Sequence, residues 1–140
     1  MSRIFTEEFS PPVIDRKEIF RYAGGGGDSE TVSAILDECL DMVKDKLSYK
    51  VCYTELDLSA RGSDCDFGVM RVGSRKLAQN LTACKKVLLF GATVGIELDR
   101  LISKYSRVSV LRASMLQAIG AERIEALCDV FCDSYEKSRG

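Results

Sequence analysis

Five carboxylates near the end of the chain have the spacing for joint chemistry. Glu122, Glu125, Asp129, Asp133 and Glu136 follow steps of three or four residues, which aligns them on one face of a helix. Exposed, such a row repels itself by a few tenths of a kcal/mol per pair, and a solvated helix face is one account of it. The other account turns an upper member, Glu122 or Glu125, into a cleft where it binds a cationic ligand. The small neighbours Ala118, Gly120 and Ala121 leave room for such a group, or for a closely packed helix. A second place for chemistry is Gly91-Ala92-Thr93-Val94-Gly95, followed by Glu97. A glycine turn from strand to helix gathers backbone amides where a ligand can meet them. Thr93, Gly95 and Glu97 are therefore candidate ligand contacts, and core or capping duty accounts for the same residues.

Other chemistries are closed off by composition. The chain has no histidine and no tryptophan, which excludes a Ser-His-Asp triad, a Cys-His dyad, a histidine base and a histidine-containing zinc site. No residue stands out as a nucleophile or general acid, so no catalytic residue is assigned. Twenty basic residues against 21 acidic ones give a formal charge of -1, with no positive field to attract nucleic acid or anionic lipid. The 140 residues, 46% hydrophobic and 29% charged, have globular composition. A chain of that length buries roughly two thirds of the surface its unfolded form exposes. No apolar run reaches the roughly 18 residues of a membrane helix, and Met1 to Glu8 has no signal-peptide core. A cytoplasmic location is expected.

The six cysteines are Cys39, Cys52, Cys65, Cys84, Cys128 and Cys132. Most fall inside apolar patterns, which reads as buried reduced thiols rather than a disulfide framework. Cys128 and Cys132 share a helix face but have too few companions for a closed thiolate metal site; no metal site is expected.

These groups must be positioned by a small set of elements. Residues 1–14, with Pro11 and Pro12, read as an extended arm, and residues 15–140 as a single domain. Asp15 caps a helix over Arg16 to Tyr22. Gly24 to Gly27 stops it; with no preceding strand and no Gly-Lys-Ser/Thr ending, the run reads as a hinge or close backbone approach, not a phosphate loop. Val32, Ile35, Leu36, Cys39, Leu40, Val43 and Leu47 mark one face of the next helix. Tyr49 to Leu58 reads as a strand, Ser59 to Asp66 as a turn, and Phe67 to Val72 as a second strand. Ser74 caps a helix running into Cys84. Val87-Leu88-Leu89-Phe90 reads as a strand covered on both faces, leading through Gly91 to Gly95 into a helix over Ile96 to Tyr105. A long helix follows from Val108 to about Lys137.

Three stretches together resemble a known family: Asp15-Arg16-Lys17-Glu18-Ile19-Phe20-Arg21-Tyr22-Ala23-Gly24, Leu89-Phe90-Gly91-Ala92-Thr93-Val94-Gly95-Ile96-Glu97-Leu98-Asp99-Arg100, and Ala118-Ile119-Gly120-Ala121-Glu122-Arg123-Ile124-Glu125-Ala126-Leu127-Cys128-Asp129. In order and spacing they resemble the activation domain of vitamin B12-dependent methionine synthase, in its short free-standing form. The resemblance implies an α+β fold, with a curved, mostly antiparallel sheet, packed helices and a long C-terminal helix. It implies S-adenosylmethionine as ligand, cobalamin carried on a partner protein, and a corrinoid protein or cobalamin-dependent methyltransferase as partner. A flavodoxin-type donor would supply the electron for reductive reactivation. Glu125, in the context Glu125-Ala126-Leu127, matches the family's acidic ligand contact, with Glu122 second. The family's later Arg-x-x-Pro-Gly-Tyr segment and further strands have no counterpart before Gly140. The expectation is therefore an incomplete version of the domain that self-associates as a homodimer or joins a hetero-complex. The alternative is a binding or structural subunit that docks on a corrinoid protein, or pairs with itself, without S-adenosylmethionine.

Overall fold

The structure is a computed structural model describing residues 3–61 and 64–139. Strand β1 (Phe5–Phe9) is followed by helices α1 (Arg16–Tyr22) and α2 (Glu30–Val43) and by strand β2 (Tyr49–Asp57). Three short strands come next, β3 (Ser59–Arg61), β4 (Asp64–Asp66) and β5 (Arg71–Gly73). Helix α3 (Arg75–Asn80), strand β6 (Lys86–Thr93), helix α4 (Glu97–Tyr105) and helix α5 (Val110–Arg139) complete the order. One sheet has the order β1-β2-β6 and the other β3-β4-β5. The second is antiparallel, with Ser59 opposite Asp66 and Asp64 opposite Gly73. The fold is α+β with antiparallel pairing and a long C-terminal helix, the class expected from the sequence. The chain divides into two compact units, Glu7–Val51 with Ala92–Gly140, and Met1–Thr6 with Cys52–Gly91.

The larger unit is organised by α5, which contacts α1, α2 and α4. Its inward residues Leu116, Ile119, Leu127 and Phe131 are at most 1% exposed, and each such side chain contributes roughly 1.5–3 kcal/mol by leaving water. Ile19 of α1, Leu36 and Cys39 of α2 and Leu98 of α4 are likewise buried. Local chemistry sets the helix ends. The Asp15 carboxylate accepts from the Glu18 amide at 3.2 Å, and Ser29 Oγ accepts from the Val32 amide at 3.2 Å, satisfying first-turn donors that have no partner within the helix. Between α1 and α2 the chain reverses through Gly24, Gly25 and Gly26, with φ of 90°, 116° and 97°. A close backbone approach occurs at Gly26, where a Cβ would meet Val32 Cγ1 at 2.9 Å. Helix α2 stops at Val43, short of the expected Leu47, because the chain tightens there: the Lys46 amide donates to the Val43 carbonyl at 2.9 Å.

The smaller unit packs Leu56, Cys65, Phe67 and Ala78 together, with Leu58, Val72, Leu77, Leu81 and Val87 around them. Three expectations fail here. Helix α3 ends at Asn80, short of the expected Cys84, because the chain tightens after Leu81: the Cys84 amide donates to the Leu81 carbonyl at 3.0 Å. Phe67 to Val72 is not one strand: the Gly68 amide donates to the Asp66 carboxylate at 2.9 Å and the Phe67 amide to the Met70 carbonyl at 2.9 Å, so the chain turns between β4 and β5. Ser59 to Asp66 is not simply a turn, because β3 and β4 occupy most of it; Gly62 and Ser63, its expected centre, lie outside the described residues.

Strand β6 also departs from expectation. It continues through Gly91 to Thr93, so the turn into α4 is only Val94 to Ile96. It is an edge of its sheet and none of its residues is buried, with Leu89 47% exposed. Four apolar residues in a row here report an edge strand with one side half covered. The thiols divide similarly. Cys39 and Cys65 are buried, Cys128 and Cys132 intermediate, and Cys52 and Cys84 exposed. Cys52 faces outward on the alternating strand β2, between buried Val51 and half-buried Tyr53. No described helix is long and apolar enough to cross a membrane.

Candidate functional site

A cavity of about 540 Å³ opens in the larger unit between α1 and α5. Glu18, Arg21 and Tyr22 face it from α1, and Glu122, Glu125 and Asp129 from α5. Pro12, Val13 and Asp15, the segment between β1 and α1, form its lip. The carboxylates have different duties. Glu18 pairs with Arg21 at 2.9 Å, and the Arg21 guanidinium lies 4.5 Å from the Tyr22 ring centroid. Asp15 caps α1 through its side chain. Glu125 and Asp129 are exposed to the cavity side of α5, and no hydrogen bond or ion pair holds either carboxylate among the described residues.

Glu122 is committed inward. Its side chain is 3% exposed and forms a two-pronged pair with Arg123, with Nε to Oε1 at 2.6 Å and Nη2 to Oε2 at 2.8 Å. Oε2 also accepts from the Asp15 backbone amide at 3.1 Å. Arg123, 1% exposed, donates further to the carbonyls of Pro12 at 2.8 Å and Val13 at 2.9 Å and to the Tyr49 hydroxyl at 3.3 Å. Burial works against the Arg123 charge, but the Glu122 carboxylate and Tyr49 outweigh it and raise its pKa above the ordinary guanidinium value. A buried ion pair offsets its desolvation only when its remaining donors and acceptors are satisfied, and no buried side-chain polar atom lacks a partner among the described residues.

The remaining candidates lie elsewhere. Thr93 and Gly95 line a second cavity of about 360 Å³, between the end of β6, α4 and the Gly120 side of α5. Thr93 Oγ1 accepts from the Gly95 amide at 3.0 Å. Glu97 pairs with Arg100 at 2.6 Å, one turn along α4. The five sequence candidates are thus divided between two cavities and one ion pair. Gly120 is where α4 and α5 come close: a Cβ there would meet Leu98 Cδ2 at 2.8 Å. Among the described residues no group of three or more Cys, Asp or Glu is arranged to hold a metal ion. Arg123, Tyr22 and Glu18 are site residues that the sequence reading did not single out. For Arg123 a signal existed, since it is the one basic residue in the apolar stretch from Ala113 to Leu127.

No protein-family model and no curated protein matches this sequence. Among solved structures, a similar one is the crystal structure of the MetH reactivation domain bound to AdoHcy, with a TM-score of 0.64 over 92% of this chain. The fold is that of the MetH reactivation domain. Sequence identity is 13%, and the match covers 54% of that chain, so this protein spans about half the length of its structural neighbour. The likeness establishes the fold alone.

Proposed function

We propose that this chain is an accessory domain for the reductive reactivation of a corrinoid methyltransferase, and that the α1–α5 cleft takes S-adenosylmethionine. The supporting observation is the shared fold over 92% of the chain with a reactivation domain whose crystal structure holds AdoHcy, the ligand left when S-adenosylmethionine has given up its methyl group. The cleft is chemically suited to that ligand. Its volume of about 540 Å³ lies within the roughly 300–1,000 Å³ of small-molecule sites. Glu125 and Asp129 offer negative charge to a sulfonium and an ammonium group, while the Tyr22 ring already carries the Arg21 guanidinium. A carboxylate about 4 Å from a cation gains about 1 kcal/mol in water and about 4 kcal/mol at an effective dielectric of 20. Glu125 lies at the solvent-facing side, between those limits.

In this reading the ligand supplies the methyl group, while cobalamin on a partner corrinoid protein receives it with an electron from a flavodoxin-type donor. The residues of this chain bind and orient. Glu125 accepts from or balances the cationic end of the ligand; Glu122, neutralised by Arg123, contributes only by holding the lip. Thr93, Gly95 and Glu97 shape the β6–α4 turn. Isothermal titration with S-adenosylmethionine is the test. Saturable binding that weakens about tenfold or more in Glu125→Gln is expected, an effect of roughly 1.4 kcal/mol. Absence of saturation in the wild-type protein at millimolar ligand would sink the reading.

One observation favours the alternative, a subunit that docks without S-adenosylmethionine. The smaller unit has an apolar hollow of about 320 Å³ lined by Leu56, Phe67, Met70, Leu77 and Leu89, with Met70 40% and Leu89 47% exposed. Self-association through such a surface would give a homodimer in light scattering, lost in Leu89→Glu.

A further inference from the structure

We infer that Arg123 is the positioning residue of the cleft: buried beneath its lip, it holds Pro12 to Asp15 in place so that the cavity exists for the ligand. The inference rests on the ligand reading of the cleft and adds to it what keeps the site formed.

Pro12 and Val13 are two of the three lip residues, and Arg123 takes both of their carbonyls, at 2.8 and 2.9 Å. The third, Asp15, gives its amide to Glu122 Oε2 at 3.1 Å. Among the described residues, the backbone hydrogen bonds from this lip to α5 run through the Glu122–Arg123 pair, across 107 to 111 residues of sequence. Pro11 and Pro12 have no N–H, so Pro12 can anchor only through its carbonyl. Arg123 is suited to such an anchor, because a guanidinium presents five donors in a fixed fork and no acceptor. It sits between Glu122 on its own helix and Tyr49 at the start of β2, so its position is set before the lip is added. Helix α1 has attachments of its own, buried Ile19 and the Arg16–Asp37 pair at 2.7 Å. Loss of Arg123 therefore frees the lip first rather than the whole helix. The same pair consumes the Glu122 charge internally, which leaves Glu125 and Asp129 as the carboxylates facing a ligand.

The test uses three variants: Arg123→Met, Arg123→Lys, and the double change Glu122→Leu with Arg123→Met. The double variant matters because an apolar pair of similar volume can replace a buried ion pair without loss of stability. Each is followed by denaturation midpoint, by thermolysin cleavage at the Val13–Ile14 bond within the lip, and by S-adenosylmethionine affinity from equilibrium dialysis. The double variant is expected to regain the stability that Arg123→Met loses, yet to be cleaved faster than wild type between Val13 and Ile14. A lip seated in one molecule in ten raises the apparent Kd about tenfold, and that loss is expected in all three variants. Arg123→Lys should not rescue it, since one ammonium cannot reach both carbonyls, the hydroxyl and both carboxylate oxygens. A stable double variant with wild-type cleavage and wild-type affinity would show that the pair only fills the core and would overturn the inference. Faster cleavage with unchanged affinity would overturn the positioning role. If the wild-type protein binds no S-adenosylmethionine, the ligand reading falls, and the cleavage rates still decide whether Arg123 holds the lip.

Discussion

Replacing Gly95 with alanine separates a steric duty from a ligand-binding one. Gly95 has φ of 95°, and a Cβ there would stand 2.8 Å from Ser48 Oγ and 3.6 Å from the Ser48 amide nitrogen. The left-handed backbone costs an L-residue about 1–2 kcal/mol. Ser48 is exposed, so its hydroxyl can swing aside, at about 0.5–1.5 kcal/mol if it leaves a staggered rotamer. Its backbone cannot follow, because the Ser48 amide donates to the Val94 carbonyl at 3.0 Å. Against these costs, alanine restricts the unfolded chain and returns about 0.4–1 kcal/mol. The net expectation is a loss of about 1–2 kcal/mol. With a urea slope of about 1–3 kcal/mol per molar, the unfolding midpoint should fall by about 0.5–1 M. Adding Ser48→Ala should recover only the side-chain part. A loss below about 0.5 kcal/mol, or full recovery in the double variant, would refute the backbone argument and return Gly95 to the list of ligand contacts.

Two predictions concern the thiols. Burial first, then Glu38, raise the Cys39 pKa from 9.0 to about 11, with Arg112 opposing. The folded value lies above the unfolded one, so the unfolded chain releases its proton first. Stability is unaffected below 9.0 and falls between 9.0 and about 11, by at most about 1.4 kcal/mol per pH unit. Denaturation midpoints measured from pH 8 to 11 should therefore fall more steeply in wild type than in Cys39→Ala, and equal slopes would contradict it. In native protein at neutral pH, a maleimide reagent should label exposed Cys52 and Cys84 within minutes while buried Cys39 and Cys65 wait for unfolding. Mass spectrometry of the labelled peptides would show otherwise if Cys65 reacted first.

What could be read from the sequence was what nearby residues decide. Asp15 and Ser74 marked the starts of α1 and α3, and both side chains accept the expected amides. The apolar recurrence from Val32 to Leu47 marked α2, though the helix stops at Val43, and the long apolar stretch after Val108 marked α5. Pairing between distant segments left no such trace. Strand β1 lay inside what read only as an extended arm, because a strand of five residues is fixed by its neighbour in the sheet. Strands β3, β4 and β5 have three residues each, too few for alternation to appear. At the site, the acidic row on α5 was visible, but not that Glu122 would spend its charge on Arg123. That outcome depends on Tyr49 and on a segment more than 100 residues earlier.

The reversal between α1 and α2 constrains how this chain can vary. Around Gly24 and Gly25 there is open space, with nothing within 4 Å of where a Cβ would stand. Volume alone would admit almost any residue there. Handedness does not: three successive positive φ angles make the loop a stereochemical filter, in which a change at Gly24 or Gly25 is penalised although it touches nothing, and one at Gly26 meets Val32 as well. Sequence drift in this loop is therefore expected to be slow despite its exposure, with asparagine the least costly substitute.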